Sequence, residues 1–161
     1  MQPLLLRVDD RLLHAKVLIT WAAALQPERI VLASDAVAHD PERRAIYGAI
    51  VAEEAEIVIE DVLAAAALLQ QPGAARSMFV CSSPADVRRL HHAGGDFTRV
   101  NLGGQHPGDD KRPLLPFVHL SAPDCEDLRA LIAAGVEVEA RELPGAPGVR
   151  VSTSELEALW T

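Results

Sequence analysis

The sequence predicts an α/β protein with a mainly parallel open sheet of about seven strands, helices on both faces and an antiparallel edge strand. Short apolar runs alternate along the chain with segments whose apolar residues recur at helical spacing, and short connections join them. Hydrophobic residues make up 49% of the chain but aromatic residues only 4%, which favours an aliphatic core packed on sheet faces and helix stripes. No linker divides the 161 residues, so we expect residues 1–161 to form one domain.

The first third of the chain has the pattern strand, helix, strand, helix, strand. Residues 4–8 are an apolar run that stops at two aspartates, as a buried strand stops before a polar loop. From His14 onward apolar residues recur at helical spacing until a proline ends the pattern. Residues 29–34 (RIVLAS) form the second predicted strand, residues 41–54 a helix with proline in its first turn, and residues 55–59 the third strand.

The middle of the chain repeats the same alternation. Residues 61–69 are an alanine-rich helix closed by a Pro-Gly break, and residues 77–81 (SMFVC) are the fourth strand. Ser83 can cap a helix over residues 84–92, which paired glycines end. Residues 98–102 then give the fifth strand.

The last third begins with a loop rich in glycine and proline, residues 103–113. It leads to the expected edge strand, residues 117–121. Residues 124–134 form a helix ended by a glycine, residues 136–143 the last strand, and residues 154–160 a terminal helix.

Charge and composition exclude several functional classes. A formal net charge of -8 argues against general affinity for nucleic acid or for anionic membranes. Cys81 and Cys125 lack metal-ligand and C-x-x-C spacing, which favours a reducing, cytoplasmic location. The opening apolar run is too short for a signal peptide, and no stretch approaches the ~20 apolar residues that span a bilayer. We expect a soluble protein with no transmembrane segment that meets a membrane only through a partner.

Parallel α/β sheets bind ligands outside the carboxyl ends of their strands. Three polar loops should meet at that edge, because each follows a predicted strand: the loop after residues 4–8, residues 82–84 (SSP) and residues 103–108. This edge is where the sequence predicts a functional site.

The segment RVDDRLLHAKVLITW, residues 7–21, places His14 where the first strand ends and the first helix begins. The field at a helix amino terminus should favour a neutral imidazole, and the free backbone N–H groups there attract anions. A neutral imidazole nitrogen can attack a phosphoryl group near neutral pH. His14 is therefore a candidate phosphate acceptor.

Charged residues surround that histidine in the sequence. Arg11 offers a planar fork of hydrogen-bond donors and Lys16 a second cation, while Asp9 and Asp10 could orient Arg11 or the imidazole. Such groups suffice for phosphoryl transfer, which depends on positioning and charge stabilisation. The structural alternative is a partly buried His14 beside a surface ion pair worth ~0 to 1 kcal/mol.

The same segment resembles the start of the IIB component of the mannose/fructose/sorbose-type sugar phosphotransferase system (PTS). The shared pattern is an arginine, a hydrophobic residue, Asp-Asp-Arg, two aliphatic residues and a histidine. Further segments resemble the family in the same order: RIVLASDAVAHDPERRAI, SSPADVRRL, RVNLGGQH and GVEVEARELP. The resemblance covers nearly the whole chain, and it implies a single IIB domain over residues 1–161.

The resemblance implies a protein-N(pi)-phosphohistidine-sugar phosphotransferase. His14 would carry the phosphate on Nδ1, as a pros-phosphohistidine, and Arg11 would stabilise it. The group would arrive from the phosphohistidine of a IIA domain and leave for a sugar bound by membrane IIC and IID subunits. No cofactor is implied. The residues implied to bind phosphate or border the site are Asp9, Asp10, Lys16, Ser82, Ser83, Asn101 and Gly103.

One departure from the family pattern leaves two alternatives open. Ala15 and Lys16 stand where the family usually has Gly-Gln, and they favour continued phosphorylation more than fast onward transfer to sugar. A regulatory phosphocarrier without sugar transport is one alternative. A non-covalent metabolite-binding domain of Rossmann-like architecture is the other.

Other histidines do not predict a metal site. His91, His92, His106 and His119 lack ligand spacing, with one another or with the cysteines. The loop GGQHPG also lacks the Lys-Ser/Thr of a P-loop. Its His106 either approaches the site or is a solvent-exposed loop residue.

Overall fold

The computed structural model describes residues 2–50, 52 and 55–161. The strands are β1 (Leu5–Val8), β2 (Arg29–Ala33), β3 (Glu56–Glu60), β4 (Ser77–Cys81), β5 (Arg99–Leu102), β6 (Lys111–Leu115), β7 (Val118–Ser121), β8 (Glu137–Ala140) and β9 (Val149–Arg150). The α-helices are α1 (Ala22–Leu25), α2 (Asp35–Ala38), α3 (Pro41–Gly48), α4 (Val62–Leu69), α5 (Pro84–His92), α6 (Ala122–Ala133) and α7 (Thr153–Ala158). A π-helix, Lys16–Trp21, runs directly into α1, and a 3-10 helix, Pro72–Arg76, precedes β4.

Seven strands form one sheet in the order β3-β2-β4-β1-β5-β8-β9. Neighbours from β3 to β8 run parallel, and β9 pairs antiparallel with β8. Apolar clusters cover both faces: α4, α5 and α6 pack on one, and the π-helix with α2 and α3 packs on the other. The predicted fold class is therefore confirmed.

Two predicted elements are wrong at their ends. The helix expected over 41–54 stops at Gly48, because glycine is a poor helix former and the chain must turn to begin β3. Residues 51, 53 and 54 lie outside the described residues. The strand expected over 136–143 stops at Ala140. The backbone carbonyls of Arg141 and Glu142 instead accept hydrogen bonds from a buried arginine, Arg7.

The strand expected at 117–121 is real, but it does not lie at the edge of the main sheet. It is β7, which pairs antiparallel with the unpredicted β6 in a separate two-stranded sheet. A bridge joins Val118 to Gln105 in the loop after β5, and His119 N–H donates to the Gln105 carbonyl. This hairpin therefore lies at the carboxyl edge of the main sheet, over the loops that follow β1 and β5.

The loop between β1 and the π-helix has a defined backbone. Leu12 is buried and adopts the left-handed conformation, with φ of 57°. Its N–H donates to the Asp9 carbonyl. A leucine accepts this conformation only at a cost of roughly 1–2 kcal/mol, which the surrounding packing must offset.

Candidate active site

A cavity of ≈ 200 Å³ opens at the carboxyl ends of β1 and β5. Four of the predicted residues line it: Asp9, Arg11, His14 and Lys16. Because the hairpin and the loop after β8 close its other sides, residues distant in sequence complete the wall. These include His106, Phe117, His119 and Glu142, and Arg7 of β1 also lines the cavity.

His14 is held against Asp9. It lies directly before the helical segment, and its carbonyl accepts a hydrogen bond from Leu18 N–H. Nε2 lies 2.9 Å from Asp9 Oδ1, where it is buried but not aligned as a hydrogen bond. The side chain is 18% exposed, so Nδ1 is the ring nitrogen left open to the cavity. The strand-to-helix junction predicted for His14 is where the structure places it.

The other oxygen of Asp9 belongs to a buried scaffold built by Arg7. Arg7 Nη2 and Nε lie 3.1 and 3.3 Å from Asp9 Oδ2, and Nη1 donates to Asn101 Oδ1 at 2.5 Å. Burial lowers the pKa of the Arg7 guanidinium, and the Asp9 carboxylate opposes that shift. The guanidinium also lies over Trp21, 5.2 Å from the ring centroid. Arg7 therefore fixes Asp9 from below the cavity.

Gly103 lies so close to the Arg7 guanidinium that there is no room for a side chain at this position. A Cβ at this position would lie 2.3 Å from Arg7 Cζ and 2.4 Å from Nη2. We expect Gly103→Ala to lower the free energy of unfolding by about 1–3 kcal/mol, as overpacking typically does. Gly145→Ala is the matched control, since a Cβ there meets nothing within 4 Å. Urea unfolding of both variants makes the comparison, and equal midpoints would contradict the close-approach argument.

Arg11, Asp10 and His106 form a chain of polar contacts at the mouth of the cavity. Asp10 Oδ1 lies 2.5 Å from His106 Nδ1, and Asp10 Oδ2 accepts from the His106 backbone N–H at 2.7 Å. Arg11 Nε lies 2.9 Å from His106 Nε2. Both sequence interpretations of His106 hold in part: the residue lines the cavity, and its side chain is 46% exposed.

Lys16 is paired with Glu142, which follows β8. Both side chains line the cavity, and both are partly exposed. The cation expected to favour phosphate therefore already has a carboxylate partner. The Glu142 carbonyl also accepts from Trp21 Nε1 at 3.1 Å, which ties this loop to the π-helix.

Four other predicted residues, Ser82, Ser83, Asn101 and Gly103, do not line the cavity. Asn101 and Gly103 contact Arg7. Ser83 caps α5, while the Ser82 hydroxyl donates to Asp86 Oδ2 at 3.0 Å. Burial raises the pKa of Asp86, and the Ser82 hydrogen bond opposes that rise.

Sequence reasoning missed several residues of the wall, among them Arg7, His119 and Glu142. Arg7 was an interruption of an apolar run, which could have signalled a buried polar network. His119 and Glu142 carry no local signal, because the hairpin and the loop after β8 bring them in from distant positions. The His119 ring places Nδ1 3.2 Å from the Gln105 carbonyl.

Within the described residues, no group of three or more His, Cys, Asp or Glu side chains is arranged to hold a metal ion. Among the helices of the same residues, none is long and apolar enough to cross a membrane.

Comparison with known proteins identifies one family. The family model described as "PTS system sorbose subfamily IIB component" matches residues 4–154. The N-acetylgalactosamine-specific phosphotransferase enzyme IIB component 1 of Escherichia coli (strain K12) is 31% identical over 150 residues, covering 88% of this chain and 91% of that protein. The PTS system mannose-specific EIIAB component of the same strain is 30% identical over 149 residues, covering 91% of this chain. The chain spans 46% of that relative's length.

Solved structures agree with the sequence matches. The IIBSor domain of the sorbose permease from Klebsiella pneumoniae superposes with a TM-score of 0.86 at 25% identity, covering 98% of each chain. The N-acetylgalactosamine-specific IIB component 1 from Escherichia coli gives a TM-score of 0.84 at 28% identity, covering 94% of this chain and 100% of that one.

Proposed function

The chain belongs to the sorbose subfamily of PTS IIB components, and from this membership we propose that it relays a phosphoryl group through His14. The family implies phosphotransferase activity. In our proposal residues 1–161 act as a single IIB domain. The donor is the phosphohistidine of a IIA domain, and the acceptor is a sugar bound by membrane IIC and IID subunits.

One observation supports this proposal above the others. His14 has Nε2 buried 2.9 Å from the Asp9 carboxylate and Nδ1 open to the cavity. The negative charge of that carboxylate favours the tautomer with hydrogen on Nε2, even though the two atoms are not aligned as a hydrogen bond. The lone pair is then on Nδ1, the atom positioned for attack.

In our proposal the phosphoryl group passes directly from the donor imidazole to that of His14, without a cofactor. The Nδ1 lone pair attacks phosphorus, the N–P bond of the donor phosphohistidine breaks, and the donor imidazole keeps the electron pair. As Nδ1 forms its bond, positive charge grows on the His14 ring, and Asp9 stabilises it. The Arg11 guanidinium offers donors to the phosphoryl oxygens. In onward transfer a sugar hydroxyl attacks phosphorus, the N–P bond of His14 breaks with its electron pair returning to Nδ1, and the hydroxyl proton leaves to solvent.

Reconstitution tests the proposal. The chain is incubated with phosphoenolpyruvate, the general PTS proteins and a IIA domain, and then examined by intact mass and peptide mapping. We expect one phosphoryl group, acid-labile and alkali-stable, on His14. Absence of such a group would support the non-covalent metabolite-binding alternative instead.

A second stage separates relay from regulation. Membranes that contain IIC and IID subunits are added with labelled sugar, and sugar phosphate is measured. Sugar phosphate supports the relay. A phosphorylated chain that yields none supports the regulatory phosphocarrier, a reading that the Lys16–Glu142 pair also favours because it places a carboxylate in the cavity.

Substitution of Lys16 should leave phosphorylation intact. Glu142 already pairs with this lysine, so Lys16→Gln removes a cation that is not free for phosphate. We expect phosphate incorporation to continue, with a shorter phosphohistidine half-life because the Glu142 carboxylate, left unpaired in the cavity, repels the phosphate. Glu142→Gln is the matched variant: it frees Lys16, so its phosphohistidine should last longer than that of Lys16→Gln. Equal half-lives in the two variants would contradict a role for this pair.

A further inference from the structure

His106 is held in one tautomer by Asp10. The Asp10 carboxylate contacts both Nδ1 of the ring and the backbone N–H of the same residue, at 2.5 and 2.7 Å. Since a carboxylate accepts hydrogen bonds, Nδ1 carries a hydrogen. The neutral ring therefore has its lone pair on Nε2.

That lone pair accepts from Arg11. Arg11 Nε lies 2.9 Å from His106 Nε2, and a guanidinium has donors but no acceptor. The contact is therefore possible only while His106 is neutral. Among the described residues, the two terminal nitrogens of Arg11 make no hydrogen bond, so holding Nε aims a free fork of donors at the cavity.

We propose that His106 is a positioning residue: its neutral imidazole holds Arg11 in the orientation that binds the transferred phosphoryl group, and its protonation releases Arg11. The inference rests on the proposed function, since it assumes that phosphate is transferred at His14. It adds to that function a second histidine whose charge controls the rate.

Protonation of His106 would bring two N–H donors face to face. A protonated His106 would direct an N–H toward the N–H of Arg11 Nε, and two cations would then lie 2.9 Å apart. Lower pH therefore breaks the contact. Asp10 and Arg11 contact the ring directly, one as a carboxylate and the other as a cation. The other titratable side chains of the cavity are Arg7, Asp9, His14, Lys16, His119 and Glu142.

The first test compares three variants in single-turnover phosphorylation from a phosphorylated IIA domain, between about pH 5 and 8, where imidazoles titrate. His106→Ala removes the acceptor and should be about tenfold slower at the upper end, the loss of one hydrogen bond to a charged group. His106→Gln keeps a carbonyl acceptor that does not titrate, so it should retain most of the rate there. His92→Gln replaces an exposed histidine on α5 outside the cavity and should match the unsubstituted protein.

The variants should differ most in how their phosphorylation rates fall at low pH. His14 and the phosphorylated IIA domain are the same for every variant, so their own response to pH cancels in the comparison. The unsubstituted protein and His92→Gln should lose rate more steeply as pH falls, because His106 also protonates. In His106→Gln the phosphorylation rate should fall less steeply with pH, because this variant takes up one proton fewer. Identical rates and slopes in His106→Ala and the unsubstituted protein would overturn the inference.

A spectroscopic readout does not depend on transfer. The Arg11 Nε–H resonance, assigned by its loss in Arg11→Lys, should be observable at neutral pH and disappear when the pH is lowered. In His106→Ala it should be absent throughout. Persistence of the signal in His106→Ala would overturn the Arg11–His106 contact. Failure of the proposed function looks different, since His14 would then carry no phosphate at any pH.

Discussion

His14→Ala should abolish phosphate incorporation while leaving the fold intact. The substitution removes the only acceptor that we assign, and the loss should be complete rather than graded. Asp9 keeps its other contacts, since Oδ2 is bound by Arg7 and Oδ1 accepts from Arg11 N–H at 3.3 Å. The buried carboxylate is therefore not left unpaired. Intact mass after incubation with the phosphoenolpyruvate-dependent donors measures incorporation, and circular dichroism checks the fold.

Control variants make this experiment specific to one histidine. His119→Ala removes another imidazole of the same cavity, and we expect His14 of that variant still to become phosphorylated. The contrary result would be a phosphate that persists in His14→Ala and maps to His106 or His119. Such a result would transfer the acceptor role to another histidine of the cavity.

Arg7→Ala should lower the free energy of unfolding by about 3–5 kcal/mol, the usual cost of breaking a buried ion pair from one side. Arg7 is 0% exposed and Asp9 1%. The substitution leaves the Asp9 carboxylate without its cation and removes donors from the carbonyls of Arg141 and Glu142. For a chain of this length we expect the melting temperature to fall by roughly 10 °C.

Arg99→Ala is the matched control on the neighbouring strand β5. Arg99 pairs with Glu137 in an ion pair whose arginine side chain is 70% exposed, so its loss should cost less than about 1 kcal/mol. Adding Asp9→Asn to Arg7→Ala removes the unpaired charge and should recover part of the stability. If Arg7→Ala and Arg99→Ala melt at the same temperature, the buried network does not contribute what its burial suggests.

The fold was largely predictable because its signals are local. Six parallel strands are marked by apolar runs, and Ser83 and the prolines mark helix starts that the structure confirms. The β6–β7 hairpin was not predictable in the same way. Its first strand, Lys111–Leu115, has no fully buried residue and contains a proline, so no alternation of apolar residues marks it.

The site likewise contains residues that a local motif predicts and residues that only the fold brings in. Asp9, Arg11, His14 and Lys16 lie within one short segment, so both the sequence motif and the cavity contain them. Glu142 enters the cavity from a loop more than a hundred residues away, and only the three-dimensional path of the chain brings it to Lys16. Its carboxylate changes how Lys16 is understood, from a free cation to one partner of a pair.

The left-handed Leu12 has a consequence for the encounter with a donor. Holding a leucine at φ of 57° requires a rigid loop, and Leu12 is held by burial and by its hydrogen bond to the Asp9 carbonyl. The conformational entropy of the His14 loop is therefore lost when the chain folds, not when a partner docks. A short-lived complex then suffices, because docking need not order the loop that presents the imidazole.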